Sequence, residues 1–184
     1  MGRARRRYDP VVADRILLYG VTGTGKTTLA AQLAGRTGIP WHSVDDLTWE
    51  PGWTEVPLDT QRQRIAEICA GERWILDTAY GKWREIPMAR VELIVALDYP
   101  RWVSLRRLLW RTLVRIIDRD EICNGNTETV RQAFSRDSIV AWHFRSFAGK
   151  RRRIRAWVGS PPGTAKEVVR LTSPRATRRW LSSL

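Results

Sequence analysis

The stretch "RILLYGVTGTGKTTLAAQLAGRTG", residues 15–38, decides how the rest of the chain is read. Ile16, Leu17, Leu18 and Tyr19 form a short unbroken apolar run, the pattern of a strand buried on both faces of a parallel sheet. Gly20, Val21, Thr22, Gly23, Thr24, Gly25, Lys26 and Thr27 then fit G-x-x-x-x-G-K-[ST], with Thr28 directly after. Leu29, Ala30, Leu33 and Ala34 follow at helical spacing. The order is strand, glycine loop, helix. Glycines let the backbone curl so that successive N–H groups converge on phosphate oxygens. The helix adds its positive N-terminal end. In such a loop the Lys26 ammonium reaches the β- and γ-phosphates and the Thr27 hydroxyl ligates Mg²⁺. The stretch therefore predicts a nucleotide site, with ATP and Mg²⁺ as its ligands.

Composition narrows the setting. A chain of 184 residues with 43% hydrophobic content can bury a core and is expected to form one domain over 14–184. No apolar run approaches the ~18 residues of a membrane span, so no membrane partner is expected. Residues 1–13 are basic with no apolar stretch behind them, which reads as a disordered arm and not as a secretory signal. Cys69 and Cys123 lack metal-like spacing and read as free thiols in a reducing cytoplasm. The net charge of +13 is carried mostly by arginine. Such a surface can bind nucleic acid or simply attract nucleotides. The cluster "GKRRRIR" at 149–155 reads either as a solvated helix end or as a polyanion contact. The oligomeric state is not legible.

Further strands are expected at 40–44, 73–77, 91–97 and 166–171, separated by helical patterns. Alternating β and α elements imply a parallel sheet covered on both faces, an α/β fold. Residues 58–70 read as a helix after the Trp- and Pro-rich loop 48–57. Residues 101–117 read as a helix on which Leu105, Leu109, Leu113 and Ile116 share one side and Arg107, Arg111 and Arg115 the other. Planar, permanently charged guanidiniums suit phosphate contacts and neutralise charge during phosphoryl transfer. Ligands of open α/β sheets sit at the carboxyl ends of the strands, where Asp45, Asp46, Asp77 and Asp98 lie. Asp77 is read as the magnesium partner beside Thr27, Asp45 as the base or orienting group for an acceptor, and Asp98 as structural. Trp49 and Trp53, near Asp45, either stack a substrate or hold their loop. "NGN" at 124–126 reads as a turn on a lid spanning about 101–150, with Arg131, Arg136 and Arg145 behind it.

The blocks "YGVTGTGKTTLA", "VDDLTWEPGW", "RWILDTAY", "LIVALDYPRW" and "NGNTETVRQAFSRDSIVAW" resemble, in this order, a bacterial group of kinase-like proteins with a P-loop. These are usually called adenylate-kinase-like or DNA topology modulation proteins. The resemblance spans roughly 14–182. It implies the nucleoside and nucleotide kinase fold, a five-stranded parallel sheet in the order 2-3-1-4-5 with an arginine-rich lid. It also implies that Arg107 and Arg111 flank ATP, that Ser173 and Arg175 line the adenine pocket, and that Asp45, with Tyr80 nearby, meets the acceptor. The group usually reads Asp-Gly-Asn-Tyr where this chain has Asp77-Thr78-Ala79-Tyr80. The function expected is transfer of the ATP γ-phosphate to a nucleotide, nucleoside or other small acceptor. A nucleic-acid-binding ATPase is the alternative, although no separate nucleic-acid-binding motif is present.

Overall fold

The computed structural model describes residues 13–118, 121–122, 126–127, 138–159 and 166–184; for 118, 121–122 and 126–127 it describes the backbone alone. The basic arm up to residue 12, Cys123, Asn124, Gly125, Arg131 and Arg136 lie outside the described residues. The strands are β1 (Arg15–Gly20), β2 (Trp41–His42), β3 (Trp49–Glu50), β4 (Thr54–Glu55), β5 (Trp74–Leu76), β6 (Leu93–Leu97), β7 (Glu121–Ile122), β8 (Asn126–Thr127) and β9 (Glu167–Leu171). The helices are α1 (Lys26–Thr37), α2 (Val44–Thr48), α3 (Leu58–Ala70), α4 (Glu85–Arg90), α5 (Arg101–Asp118), α6 (Ile139–Val158) and α7 (Pro174–Ser182).

The main sheet has the order β2-β5-β1-β6-β9, all parallel. Counted along its own five strands this is the expected 2-3-1-4-5. β1 lies at the centre because it is apolar on both faces. Ile16 and Leu18 point to one side and join Leu29, Leu33, Trp180 and Leu181 from α1 and α7. Leu17 and Tyr19 point to the other and join Ile65, Trp74, Trp83 and Ile154 beneath α3, α4 and α6. The second strand is shorter than the expected 40–44. Ser43 leaves the sheet to cap α2, its hydroxyl accepting from the Asp46 N–H. Two antiparallel hairpins, β3-β4 and β7-β8, stand apart from the main sheet.

On α5 the leucine side is partly outward. Leu109 is 43% and Leu113 50% exposed. Ser104, Leu108 and Thr112 make the packed face instead. The cluster at 149–155 lies in the C-terminal half of α6 and reaches its last turn at Arg155. Arg151 and Arg170 both pair with the buried Asp98, at 3.1 and 2.6 Å, which bears out the structural reading of Asp98. No helix among the described residues is long and apolar enough to cross a membrane.

Candidate active site

The glycine loop turns through Gly23 and Gly25, whose φ angles of +83° and +89° suit glycine and few other residues. Gly23 also meets α5 closely. A Cβ there would lie 2.3 Å from the Ser104 carbonyl oxygen. The loop is stitched by the Thr24 hydroxyl, which donates to the Val21 carbonyl at 2.8 Å. Lys26 begins α1 and folds back over the loop, its Nζ donating to the Val21 carbonyl at 3.1 Å. Burial lowers the Lys26 ammonium below its ordinary pKa and the nearby Arg111 adds to this, while Asp77 and Asp45 oppose it.

Asp77 leaves the end of β5 buried beneath the loop. One carboxylate oxygen accepts from the Thr27 hydroxyl at 2.8 Å and the other from the Val44 N–H at 3.0 Å. One side chain thus ties the glycine loop to the start of α2. Burial raises the Asp77 carboxyl, and the two hydrogen bonds work against it. The Thr27 hydroxyl and Asp77 carboxylate are hard oxygen donors side by side. They fit Mg²⁺, which takes few protein ligands and completes its shell with water and phosphate oxygens. Among the described residues no group of three or more His, Cys, Asp or Glu forms a metal cage.

Asp45, one residue into α2, accepts a short hydrogen bond from the Tyr80 hydroxyl. Burial, then the Asp45 charge, pushes Tyr80 well above its ordinary pKa. The phenol stays protonated and acts as a donor. Asp45 and Tyr80 thus meet as the sequence suggests, and the Asp45 charge is felt at Lys26. Trp49 and Trp53 pair edge to face, centroids 6.0 Å apart, at the two ends of the β3-β4 hairpin. Trp53 holds a positive φ of 56°. The hairpin is secured by Gln61, whose amide donates to the Val56 carbonyl at 2.7 Å and accepts from the Trp83 indole at 3.1 Å.

From above, Arg107 donates weakly to the Thr24 carbonyl, at 3.4 Å. Arg111 lies near enough to depress Lys26 electrostatically. Arg115 is half-buried one turn further along. Ser173 and Arg175 sit after the last sheet strand. Ser173 caps α7 through a hydrogen bond from the Ala176 N–H at 3.1 Å, and Arg175 is exposed. Arg145 is also exposed, on α6.

Sequence reading missed the contribution of α6. Lys150 reaches the loop and donates to the Gly20 carbonyl at 3.2 Å. Arg153 donates to the Tyr19 hydroxyl at 2.7 Å. A signal existed: His143, Phe147 and Ile154 are the buried positions of α6, and Lys150 falls on their side, three residues after Phe147 and four before Ile154.

Residues 16–71 match the ATPase family associated with various cellular activities (AAA). No curated protein matches the chain. Solved structures do. A gluconokinase from Sinorhizobium meliloti 1021 superposes with a TM-score of 0.51 at 16% identity, over 97% of this chain and 94% of that one. A shikimate kinase from Bacteroides thetaiotaomicron gives 0.54 at 15% identity, over 94% and 96%. A shikimate kinase from Acinetobacter baumannii in complex with shikimate gives 0.53 at 17%, over 95% and 92%. At such identities the likeness is one of fold. Together with the glycine loop and the 2-3-1-4-5 sheet, it establishes that the chain has the P-loop NTPase fold.

Proposed function

We propose that the protein is an ATP-dependent phosphotransferase that moves the γ-phosphate to a hydroxyl of a small acceptor, within the adenylate-kinase-like group that its sequence blocks resemble. One observation carries this reading. The Asp77 carboxylate joins the glycine loop, through Thr27, to α2, which carries Asp45, and Tyr80, three residues after Asp77, donates to Asp45. A donor site and a hydroxyl-orienting pair are thereby held on one support. The kinase neighbours, small-molecule enzymes by name, support the same class.

ATP lies on Gly20, Val21, Thr22, Gly23, Thr24, Gly25, Lys26, Thr27 and Thr28, with Arg107 and Arg111 over its phosphates and Ser173 and Arg175 toward its base. Mg²⁺ between Thr27 and Asp77 would draw charge from the β- and γ-oxygens. Asp45 accepts the proton of the acceptor hydroxyl, and Tyr80 orients Asp45. The acceptor oxygen then bonds to the γ-phosphorus, the bond from that phosphorus to the β–γ bridging oxygen breaks, and ADP leaves. Lys26, Arg107, Arg111 and Arg115 neutralise the charge on the transferring group. Trp49 and Trp53 close the acceptor side and limit water, which would otherwise hydrolyse ATP.

Incubation with γ-labelled ATP, Mg²⁺ and a panel of nucleosides, nucleotides, sugars and hydroxy acids tests the proposal. Label is expected on one class of small acceptor. Failure to label any of them, together with ATP hydrolysis stimulated by DNA, would replace this reading with the nucleic-acid-dependent ATPase.

A further inference from the structure

The chain uses arginine for most of its cations and lysine at four positions, Lys26, Lys82, Lys150 and Lys166. Two of the four meet at the glycine loop, from opposite ends of the sequence. Lys26 rests on the Val21 carbonyl at 3.1 Å and Lys150 on the adjacent Gly20 carbonyl at 3.2 Å. They lie close enough for each to feel fixed charges of the same site. Lys150 feels Lys26 and Arg153, which oppose its charge, and Asp45, which favours it.

The surroundings explain what holds Lys150 there and what does not. Its neighbours brace α6 on the sheet, Arg151 through the buried Asp98 and Arg153 through the Tyr19 hydroxyl. Its own ammonium lies near the Tyr19 ring, 5.8 Å from the centroid. Among the described residues no carboxylate lies within ion-pair distance of Lys150, and its hydrogen bond goes to a carbonyl. A half-buried ammonium placed against a second one, with Asp45 as the carboxylate that favours its charge, lacks an anion of its own among the described residues. A terminal phosphate on the glycine loop would supply that anion.

We propose that Lys150 is a second lysine for the terminal phosphate, supplied by α6 and gripping the γ-phosphate from the acceptor side while Lys26 holds it from the loop. This rests on the reading of the glycine loop as an ATP site. When the triphosphate arrives, Lys150 exchanges the Gly20 carbonyl for a γ-oxygen. A diphosphate leaves it on the carbonyl. Lys150 is then what makes the site favour ATP over ADP, and the contact couples α6 to the presence of a transferable group.

The test compares Mg²⁺·ATPγS with Mg²⁺·ADP by calorimetry on the full chain and on Lys150→Met, which keeps the apolar stem. The variant is expected to lose about tenfold in ATPγS affinity, the worth of roughly one charge-assisted hydrogen bond, with ADP changed by less than about threefold. Equal losses for both nucleotides, or none, overturn the proposal. A second measurement needs no variant: acylation of Lys150 by an amine reagent, read by mass spectrometry. ATPγS should protect Lys150 and ADP should not, and equal behaviour of the two overturns it. Wild-type protein that binds neither nucleotide overturns the ATP-site reading and this one together. Binding that ignores Lys150 overturns this one alone.

Discussion

Asp45 is the residue on which the acceptor chemistry turns. Its carboxylate can take a hydroxyl proton, and asparagine of the same shape cannot. Asp45→Asn should leave ATP affinity within about threefold, under roughly 0.7 kcal/mol. Transfer should fall by about 10²-fold or more. Calorimetry beside the transfer rate checks both, and surviving transfer would remove Asp45 from the mechanism. Gln61 does a different job. Fully buried, it satisfies the Val56 carbonyl and the Trp83 indole together. Gln61→Leu leaves both unpaired and should cost about 1–3 kcal/mol, measured as a lower urea midpoint. Lys150 has a pH signature of its own. Burial and Lys26 lower it from the ordinary 10.5 to about 7, against the pull of Asp45. Between those values the unfolded chain holds a proton that the folded chain has released, so stability rises with pH across that window. Below it both states are protonated and the penalty is constant. Lys26 is also lowered, and without the neighbouring Lys150 charge its own penalty shrinks in the variant, which acts in the same direction. Urea titrations at pH 7 and 9.5 should therefore show a smaller rise for Lys150→Met, and parallel profiles would contradict the buried, displaced ammonium.

Among the elements, α5 departs furthest from its sequence pattern. Of its apolar stripe Leu109 and Leu113 are exposed and Leu105 and Ile116 half-buried, and Trp102, Trp110 and Ile117 are exposed beside them. The side with Ser104, Leu108 and Thr112 packs inward, with the Ser104 carbonyl and the Leu108 side chain against Gly23. The same rotation brings Arg107 to the Thr24 carbonyl and Arg111 toward Lys26. α5 is clasped to α6 by the buried Ser104 hydroxyl and His143 Nε2, 2.9 Å apart. Arg101 lies over the Phe147 ring at 4.5 Å. Guanidinium contacts strengthen as charge moves onto the transferring group. Replacing Arg107, Arg111 and Arg115 together by alanine should lower the transfer rate constant by more than it lowers ATP affinity. A steady-state separation of kcat from KM for ATP measures this, and unchanged turnover would reduce the helix to a basic surface.

At the scale of the whole molecule, ligand binding at the loop adds to folding stability. A nucleotide at 100 times its Kd contributes about 2.7 kcal/mol, which in a domain of this size raises Tm by roughly 5–10 °C. Mg²⁺·ATP should do so for the wild type and much less for Lys26→Ala, by differential scanning calorimetry. An equal rise in both would detach binding from the loop.

The glycine loop, α1, α3 and the five sheet strands were legible because each depends on local pattern: an apolar run, helical spacing, glycines where the backbone must turn. Asp77 beside Thr27 followed from the rule that ligands gather at strand ends. Which residues of α5 pack was not legible, since Ser104 and Leu108 meet Gly23 from far along the chain. Nor was the part played by Lys150, about 130 residues from Gly20 along the chain. Composition makes "GKRRRIR" a charge run. Helical spacing puts Lys150 on the side of Phe147 and Ile154, but only the docking of α6 on Tyr19 and Asp98 decides what that side meets, because that depends on long-range pairing.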